Sequence, residues 1–216
     1  MVRISHPSGD YCIDKTEATK GHYAQFRADK DGDYSGQASY CEWNVDYGQG
    51  GCGFYDPVDN LKLPAACMDW CDADAFCKWA GKRLCGKVGG GGNADPYSDA
   101  DKQEWRNVCE AAGPMVPDGS CNAWSPTAVE VDNGDCTGSQ SGFQQLTHLL
   151  GNVSEWVHEC SVGFIGDYEE PNSSCRIYGR SRADQQRDLS CAGSDNPRKD
   201  STTSVGVRCC ATAETN

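Results

Sequence analysis

Several features are scarce in these 216 residues, and each scarcity excludes a class of protein. No run of about 18 apolar residues occurs, so no transmembrane helix is encoded and we expect no membrane insertion. Basic side chains are few: 19 Lys and Arg against 32 Asp and Glu give a net charge of -13. This balance argues against nucleic acid or an anionic membrane as a partner. Only four histidines and no C-x-x-C pair are present, which disfavours a structural zinc site.

Cysteine, in contrast, is abundant, with 15 residues spread from Cys12 to Cys210. A content of roughly 7% approaches the level of disulfide-rich secreted chains. It predicts structural disulfides and an extracytoplasmic location, whether secreted, periplasmic or on the cell surface. Because no signal-peptide apolar region is visible, we expect a domain of a longer exported protein. The odd count leaves at least one thiol and permits a disulfide-linked dimer. A bond between the adjacent Cys209 and Cys210 would be strained, so Cys210 needs another partner.

The pattern of apolar residues and turns predicts a single α+β domain over 1–216, with two main helices and much irregular chain. Residues 29–63 are rich in Gly, Asp and Tyr and are predicted to be a surface insertion. A first helix is expected from Thr16 or Thr19 to Phe26. The two main helices are expected at 65–80, with Asp69 or Asp72 near the start, and at 99–112.

Four segments, in order, resemble the formylglycine-generating enzyme (sulfatase-modifying factor) family, and together they span nearly the whole chain. The second, which contains Cys-Lys-Trp-Ala-Gly-Lys-Arg-Leu, is the most specific. The segments are 11–19 (YCIDKTEAT), 69–84 (DWCDADAFCKWAGKRL) with Glu104-Trp105 and Cys109, 151–156 (GNVSEW), and 179–181 (GRS) with 206–209 (GVRC). The fold implied is the C-type-lectin-like fold of that family, here in a disulfide-rich form.

The resemblance also implies two long-range disulfides, Cys77–Cys209 and Cys109–Cys191. Three further pairs are reasonable across short loops: Cys121–Cys136, Cys160–Cys175 and Cys52–Cys67. Partners for the remaining five cysteines stay open: Cys12, Cys41, Cys71, Cys85 and Cys210.

The family's catalytic apparatus is incomplete in this sequence. The resemblance implies two cysteines five residues apart that bind copper(I) just after a Gly-Gly-Ser turn, because soft thiolates select that ion. The matching stretch has no cysteine before Cys191. Arg180 replaces a glycine of the turn, Ser181 keeps its serine, and Ser154 replaces a tryptophan that helps to form the wall of the family's substrate groove. We therefore expect a catalytically degenerate member with no catalytic residues, and copper is not expected.

The resemblance implies a calcium site, so calcium is a candidate cofactor. Its ligands would be the side chain of His148, the carbonyls of Gly151 and Val153, and the carboxylate of Glu155. Calcium prefers oxygen, so a histidine in this set weakens the site. The alternative is that Glu155 accepts hydrogen bonds from backbone N–H groups of its own loop.

The favoured interpretation is a non-catalytic recognition domain that binds a protein or glycan ligand through residues 180–199. Members of this fold serve as ligand displays, including variable proteins diversified by retroelements on this segment. The candidate ligand-binding residues are Arg180, Ser181, Arg182, Asp184, Gln186, Arg187, Asn196 and Arg198. One alternative is a copper-dependent thiol oxidase with relocated cysteines, at Cys209/Cys210 or Cys191. Another is a purely structural module of an envelope protein.

Overall fold

The computed structural model describes most of the chain as three α-helices and ten strands, joined by turns. The described residues are 1–48, 52, 56, 58–95, 99–116, 121–123, 125–134, 136–161, 173–184 and 190–213. The helices are α1 (Lys20–Lys30), α2 (Trp70–Trp79) and α3 (Glu104–Ala111). The strands are β1 (Val2–Ile4), β2 (Tyr11–Ile13), β3 (Arg83–Leu84), β4 (Met115–Val116), β5 (Thr137–Gly138), β6 (Ser154–Cys160), β7 (Ser174–Tyr178), β8 (Ser194–Pro197), β9 (Val205–Val207) and β10 (Cys209–Thr212).

The helices begin where their capping residues stand. Thr19 caps α1 by accepting from the backbone N–H of His22, and Asp69 and Asp72 form a reciprocal capping box at α2. The third predicted helix is shorter than expected, because a 3-10 turn at Ala100–Lys102 precedes α3. The longest described helix has eleven residues, about 16 Å. None of the described helices is long and apolar enough to cross a bilayer.

One four-stranded sheet joins the two ends of the chain, in the order β1-β2-β10-β3 with antiparallel pairs throughout. Side chains alternate between the faces of a strand, so the adjacent Cys209 and Cys210 point to opposite sides of β10. Cys209 is bonded to Cys77 of α2, and Cys210 to Cys85 beyond β3. The last strand is therefore fixed from both faces by two different disulfides.

A second four-stranded sheet has the order β8-β7-β6-β9, in which β9 runs parallel to β6. Strand β6 begins within the 151–156 motif and is buried along most of its length. Trp70 of α2 donates its indole N–H to the carbonyl of Val157 at 2.8 Å, and Trp156 donates to Met68 at 3.1 Å. These two bonds hold α2 against β6, and this contact places the 151–156 motif in the interior.

Seven disulfides brace the described residues, and all fifteen cysteines fall within them. The five pairs expected from the sequence are present, and Cys41–Cys71 and Cys85–Cys210 join residues whose partners were open. The full set is Cys41–Cys71, Cys52–Cys67, Cys77–Cys209, Cys85–Cys210, Cys109–Cys191, Cys121–Cys136 and Cys160–Cys175. Cys12 alone keeps a thiol; it lies on β2 and is partly exposed.

The predicted surface insertion at 29–63 packs more closely on the core than expected. Cys41 and Tyr47 are buried, and the Cys41–Cys71 bond ties the segment to α2. The side-chain amide of Asn44 also donates to Asp72 at 2.8 Å. Cys41, Asn44 and Tyr47 of this loop are buried because a disulfide and a buried hydrogen bond fix the loop to a helix.

Candidate recognition site

A cavity of about 270 Å³ lies where the 180–184 turn meets the ends of β6, β7 and β8. Four of the predicted ligand-binding residues line it, together with the serine that replaces the family's tryptophan: Arg180, Ser181, Asp184, Asn196 and Ser154. Further hydroxyl groups come from Ser194, Thr202 and Ser204, and Ile177 and Val205 add a small apolar surface. The side chain of Ser154 is small and leaves this space open.

Arg180 is the cationic residue among those that line this cavity. Its backbone has a φ of 52°, in the left-handed region that costs a residue other than glycine about 1–2 kcal/mol. Its Nε is buried and makes no hydrogen bond to any residue the structure describes. A strained backbone and an unsatisfied donor coincide at one residue, so the fold gains no evident stability from this arginine.

Asp184 fixes the turn that carries Arg180. Its carboxylate accepts from the backbone N–H of Ser181 at 2.6 Å and from the Ser181 hydroxyl at 3.0 Å. The same hydroxyl accepts from the backbone N–H of Ala183 at 3.1 Å. Ser181 is consequently buried and held by the turn, although it also lines the cavity; its predicted role in ligand binding stays a prediction.

The prediction of Arg198 as a ligand-facing residue is wrong, because its side chain is 0% exposed. Its guanidinium group lies 4.6 Å from the ring centre of Tyr40 and 5.2 Å from that of Trp70. Burial of the charge is compensated by these rings and by a bond to the Tyr40 carbonyl at 3.4 Å. Polarity and position in the loop indicated a surface residue, but nothing in the sequence indicated this aromatic sandwich.

Arg182 lies on the wall of a different cavity, of about 510 Å³, which it lines with Lys20 and Asp59. It donates to the carbonyls of Pro126 at 3.1 Å and Thr203 at 3.2 Å. These bonds tie the turn to neighbouring loops, so Arg182 helps to position the site. The predicted residues Gln186 and Arg187 lie outside the described residues.

Behind the cavity, Glu155 and Arg208 form an ion pair with both side chains fully buried. Arg208 donates to the Glu155 carboxylate at 3.0–3.2 Å, and Trp105 donates to it at 2.5 Å. Arg208 also donates to four backbone carbonyls, those of Asp14, Lys15, Thr147 and His148. The terminal Gly-Val-Arg-Cys motif was noted in the sequence, but its role as a buried hub follows only from the fold.

Glu17 is a second buried carboxylate beside this pair. It accepts from the side-chain amide of Asn152 at 3.0 Å and from the backbone N–H of Val153 at 3.3 Å. Burial, with the charge of Glu155, raises the pKa of Glu17 well above its usual range. Burial also raises the pKa of Glu155, although Arg208 and Trp105 oppose the shift.

The residues that the resemblance proposes for calcium do not fit that ion. Arg208 is bonded to both carboxylate oxygens of Glu155, and its positive charge stands where a cation would bind. The His148 ring pairs with the Asn133 side chain at 2.8 Å, and the His148 carbonyl accepts from Arg208. Among the residues described, no group of three or more His, Cys, Asp or Glu side chains could hold a metal ion. Glu155 satisfies side-chain donors, not the backbone N–H groups of its loop.

Nor do the cysteines fit a copper(I) site of the family's type, which needs a pair of thiolates. Cys191 is bonded to Cys109, and Cys209 and Cys210 are bonded to Cys77 and Cys85. The remaining thiol, Cys12, stands alone on β2.

Comparisons with known proteins agree with this fold. A family model for the sulfatase-modifying factor enzyme 1-like domain matches residues 5–213. Similar solved structures include CarF (TM-score 0.55, 16% identity, 95% of this chain and 87% of that chain). They also include PvdO from Pseudomonas aeruginosa (0.56, 16%, 94% and 81%) and variable protein 1 of Treponema denticola (0.55, 15%, 94% and 85%). No curated protein sequence matches the chain.

Proposed function

The chain belongs to the family of sulfatase-modifying factor enzyme 1-like domains, and on that premise we propose that it is a non-catalytic recognition domain. The ligand binds in the cavity between the 180–184 turn and β8. The observation that carries the proposal is the cavity itself: it lies beside the turn at which the resemblance places the family's chemistry, and the cationic Arg180 lines it. The thiol pair which that chemistry requires is missing.

The state of the cysteines supports the non-catalytic part of the proposal. Oxidation of a substrate thiol at copper(I) needs two nearby thiolates to hold the metal. In the described residues Cys12 is the one free thiol, and its strand belongs to the other four-stranded sheet. The relocated-cysteine alternative would need Cys191, Cys209 or Cys210, each of which is in a disulfide.

The bracing around the cavity supports the recognition part. Cys109–Cys191 anchors the chain just before β8, and Cys160–Cys175 joins β6 to β7. A binding site held rigid in its bound shape loses less entropy when the ligand binds. One of the similar structures is a variable protein, and the resemblance to ligand-displaying members of this fold points the same way. Seven disulfides also support an extracytoplasmic location.

The experiment is a binding screen against glycan and peptide arrays, with a variant whose cavity is filled. Ala183 lines the cavity and is exposed, so Ala183→Trp is expected to obstruct it. The matched control is Ala111→Trp, at an exposed position of α3 outside the cavity. The wild type and Ala111→Trp should bind the same ligand, and Ala183→Trp should lose binding at least tenfold. Equal binding by all three proteins, or no ligand at all, would favour the structural-module alternative.

A further inference from the structure

We propose that the cavity takes an acidic sugar of the hexuronate class, with the sugar carboxylate bound by Arg180. This inference names the ligand class of the recognition domain proposed above and depends on that proposal. No chemistry on the sugar is implied, only its binding.

The charge of the ligand follows from Arg180. A guanidinium group presents a fork of N–H donors that matches a carboxylate, and it favours bidentate pairing. Arg180 belongs to the cavity wall and is partly exposed, and its buried Nε has no acceptor among the described residues. The carboxylate on the same wall, Asp184, already accepts two bonds from Ser181. A ligand carboxylate in the cavity can pair with the accessible N–H groups of this guanidinium.

The rest of the ligand follows from the remaining lining residues. Hydroxyl and amide groups both donate and accept, as do the hydroxyls of a sugar; here they come from Ser154, Ser194, Asn196, Thr202 and Ser204. Ile177 and Val205 offer an apolar surface to the C–H face of a ring. The volume of about 270 Å³ lies just below the range of about 300–1,000 Å³ for drug-sized ligands. It therefore suits one ring with its substituents.

An acidic peptide side chain fits the cavity less well. It would satisfy Arg180 but bring few further donors or acceptors, so the groups of Ser194 and Asn196 would lose water without gaining partners. A hexuronate brings hydroxyl groups that can both donate to and accept from such side chains. One cationic group, together with several groups that both donate and accept hydrogen bonds, favours the sugar.

The backbone of Arg180 supplies an independent argument. At a φ of 52° a glycine would be unstrained, so an arginine here lowers the stability of the fold. Backbone strain of this kind is concentrated at binding and catalytic sites. A residue that costs stability and makes no described side-chain hydrogen bond through its buried Nε is explained if its contribution is to ligand binding.

The test is an NMR titration of the whole domain with glucuronate and galacturonate, and with glucose and galactose as neutral counterparts. Arg180→Gly is the decisive variant, because it removes the guanidinium and relieves the strain together. It should bind hexuronate at least about tenfold more weakly and yet unfold at a higher temperature than the wild type. Arg27→Gly would lower the stability of α1, so Arg27→Gln, at an exposed position of that helix, is the control and should bind normally.

Each outcome has one meaning. Hexuronate binding that needs Arg180, with at least tenfold weaker binding of the neutral sugars, supports the inference. Equal binding of neutral sugars, no hexuronate binding at all, or preference for a short peptide ending in Asp overturns it. If Ala183→Trp still binds a ligand from the array screen more weakly than the wild type does, the proposed recognition function is supported without the acidic sugar. If neither Ala183→Trp nor Arg180→Gly changes binding of any ligand, the recognition proposal itself fails.

Discussion

Two disulfides hold β10, and we predict that removing either one lowers the free energy of unfolding by less than its long loop alone would suggest. Cys77–Cys209 closes a loop with a sequence separation of 132 residues, and an isolated bond of that length would contribute about 5 kcal/mol in the chain-entropy model. However, Cys85–Cys210 already brings the same two regions together. With that bond intact, Cys77–Cys209 closes a ring of only about ten residues, worth about 3 kcal/mol.

The matched comparison is Cys160–Cys175, whose separation of 15 residues also corresponds to about 3 kcal/mol. All four cysteines are buried in one hydrophobic cluster, so the cavities left by alanine are similar. We expect C77A/C209A and C160A/C175A to lose equal free energies of unfolding, measured in urea without reductant. If C77A/C209A lost about 2 kcal/mol more than C160A/C175A, the two bonds on β10 would be acting independently and the reasoning would be wrong.

Three further predictions concern charge. Burial raises the pKa of Asp69 from 3.8 to about 6, so the folded state binds this proton more tightly than the unfolded state does. The free energy of unfolding should therefore fall by up to about 3 kcal/mol as the pH rises from about 4 to about 7. Asp69→Asn keeps the capping oxygen but does not titrate, so its free energy of unfolding in urea should differ less between pH 4.5 and pH 7.5 than that of the wild type. An equal difference in both proteins would show that Asp69 is not the group responsible. Arg208→Met leaves two buried carboxylates without a cation and should lower the free energy of unfolding by about 3–5 kcal/mol. Glu155→Gln should lower it less, because in that variant Arg208 still donates to four backbone carbonyls. A larger loss in Glu155→Gln would contradict the role of Arg208 as a buried hub. EDTA should leave the thermal midpoint unchanged, since Arg208 occupies Glu155; a drop that calcium restores would show a metal site.

Local signals in the sequence predicted the helices well. Thr19 and Asp69 are caps whose side chains act on the next turn, and such interactions depend on a few neighbouring residues. The third helix was placed too early because the sequence does not distinguish a 3-10 turn from the start of an α-helix.

Apart from the two long-range disulfides that the resemblance implied, contacts between distant segments could not be predicted from the sequence. The pairing of Cys85 with Cys210 depends on β3 and β10 being neighbours, and the burial of Arg198 depends on Tyr40 and Trp70 meeting above it. Arg180, Asp184 and Asn196 of the predicted binding segment line one cavity, and their role in binding a ligand stays a prediction.

The most direct test of the central claim, a recognition domain without the family's thiol chemistry, is a count of thiols by mass spectrometry after alkylation of the unreduced protein. A parallel sample receives copper(I) after mild reduction. We expect one alkylated cysteine, at Cys12, and no bound copper. Two alkylated cysteines in one region, or one copper held by a labile pair, would contradict it and make oxidation of a thiol substrate the next assay.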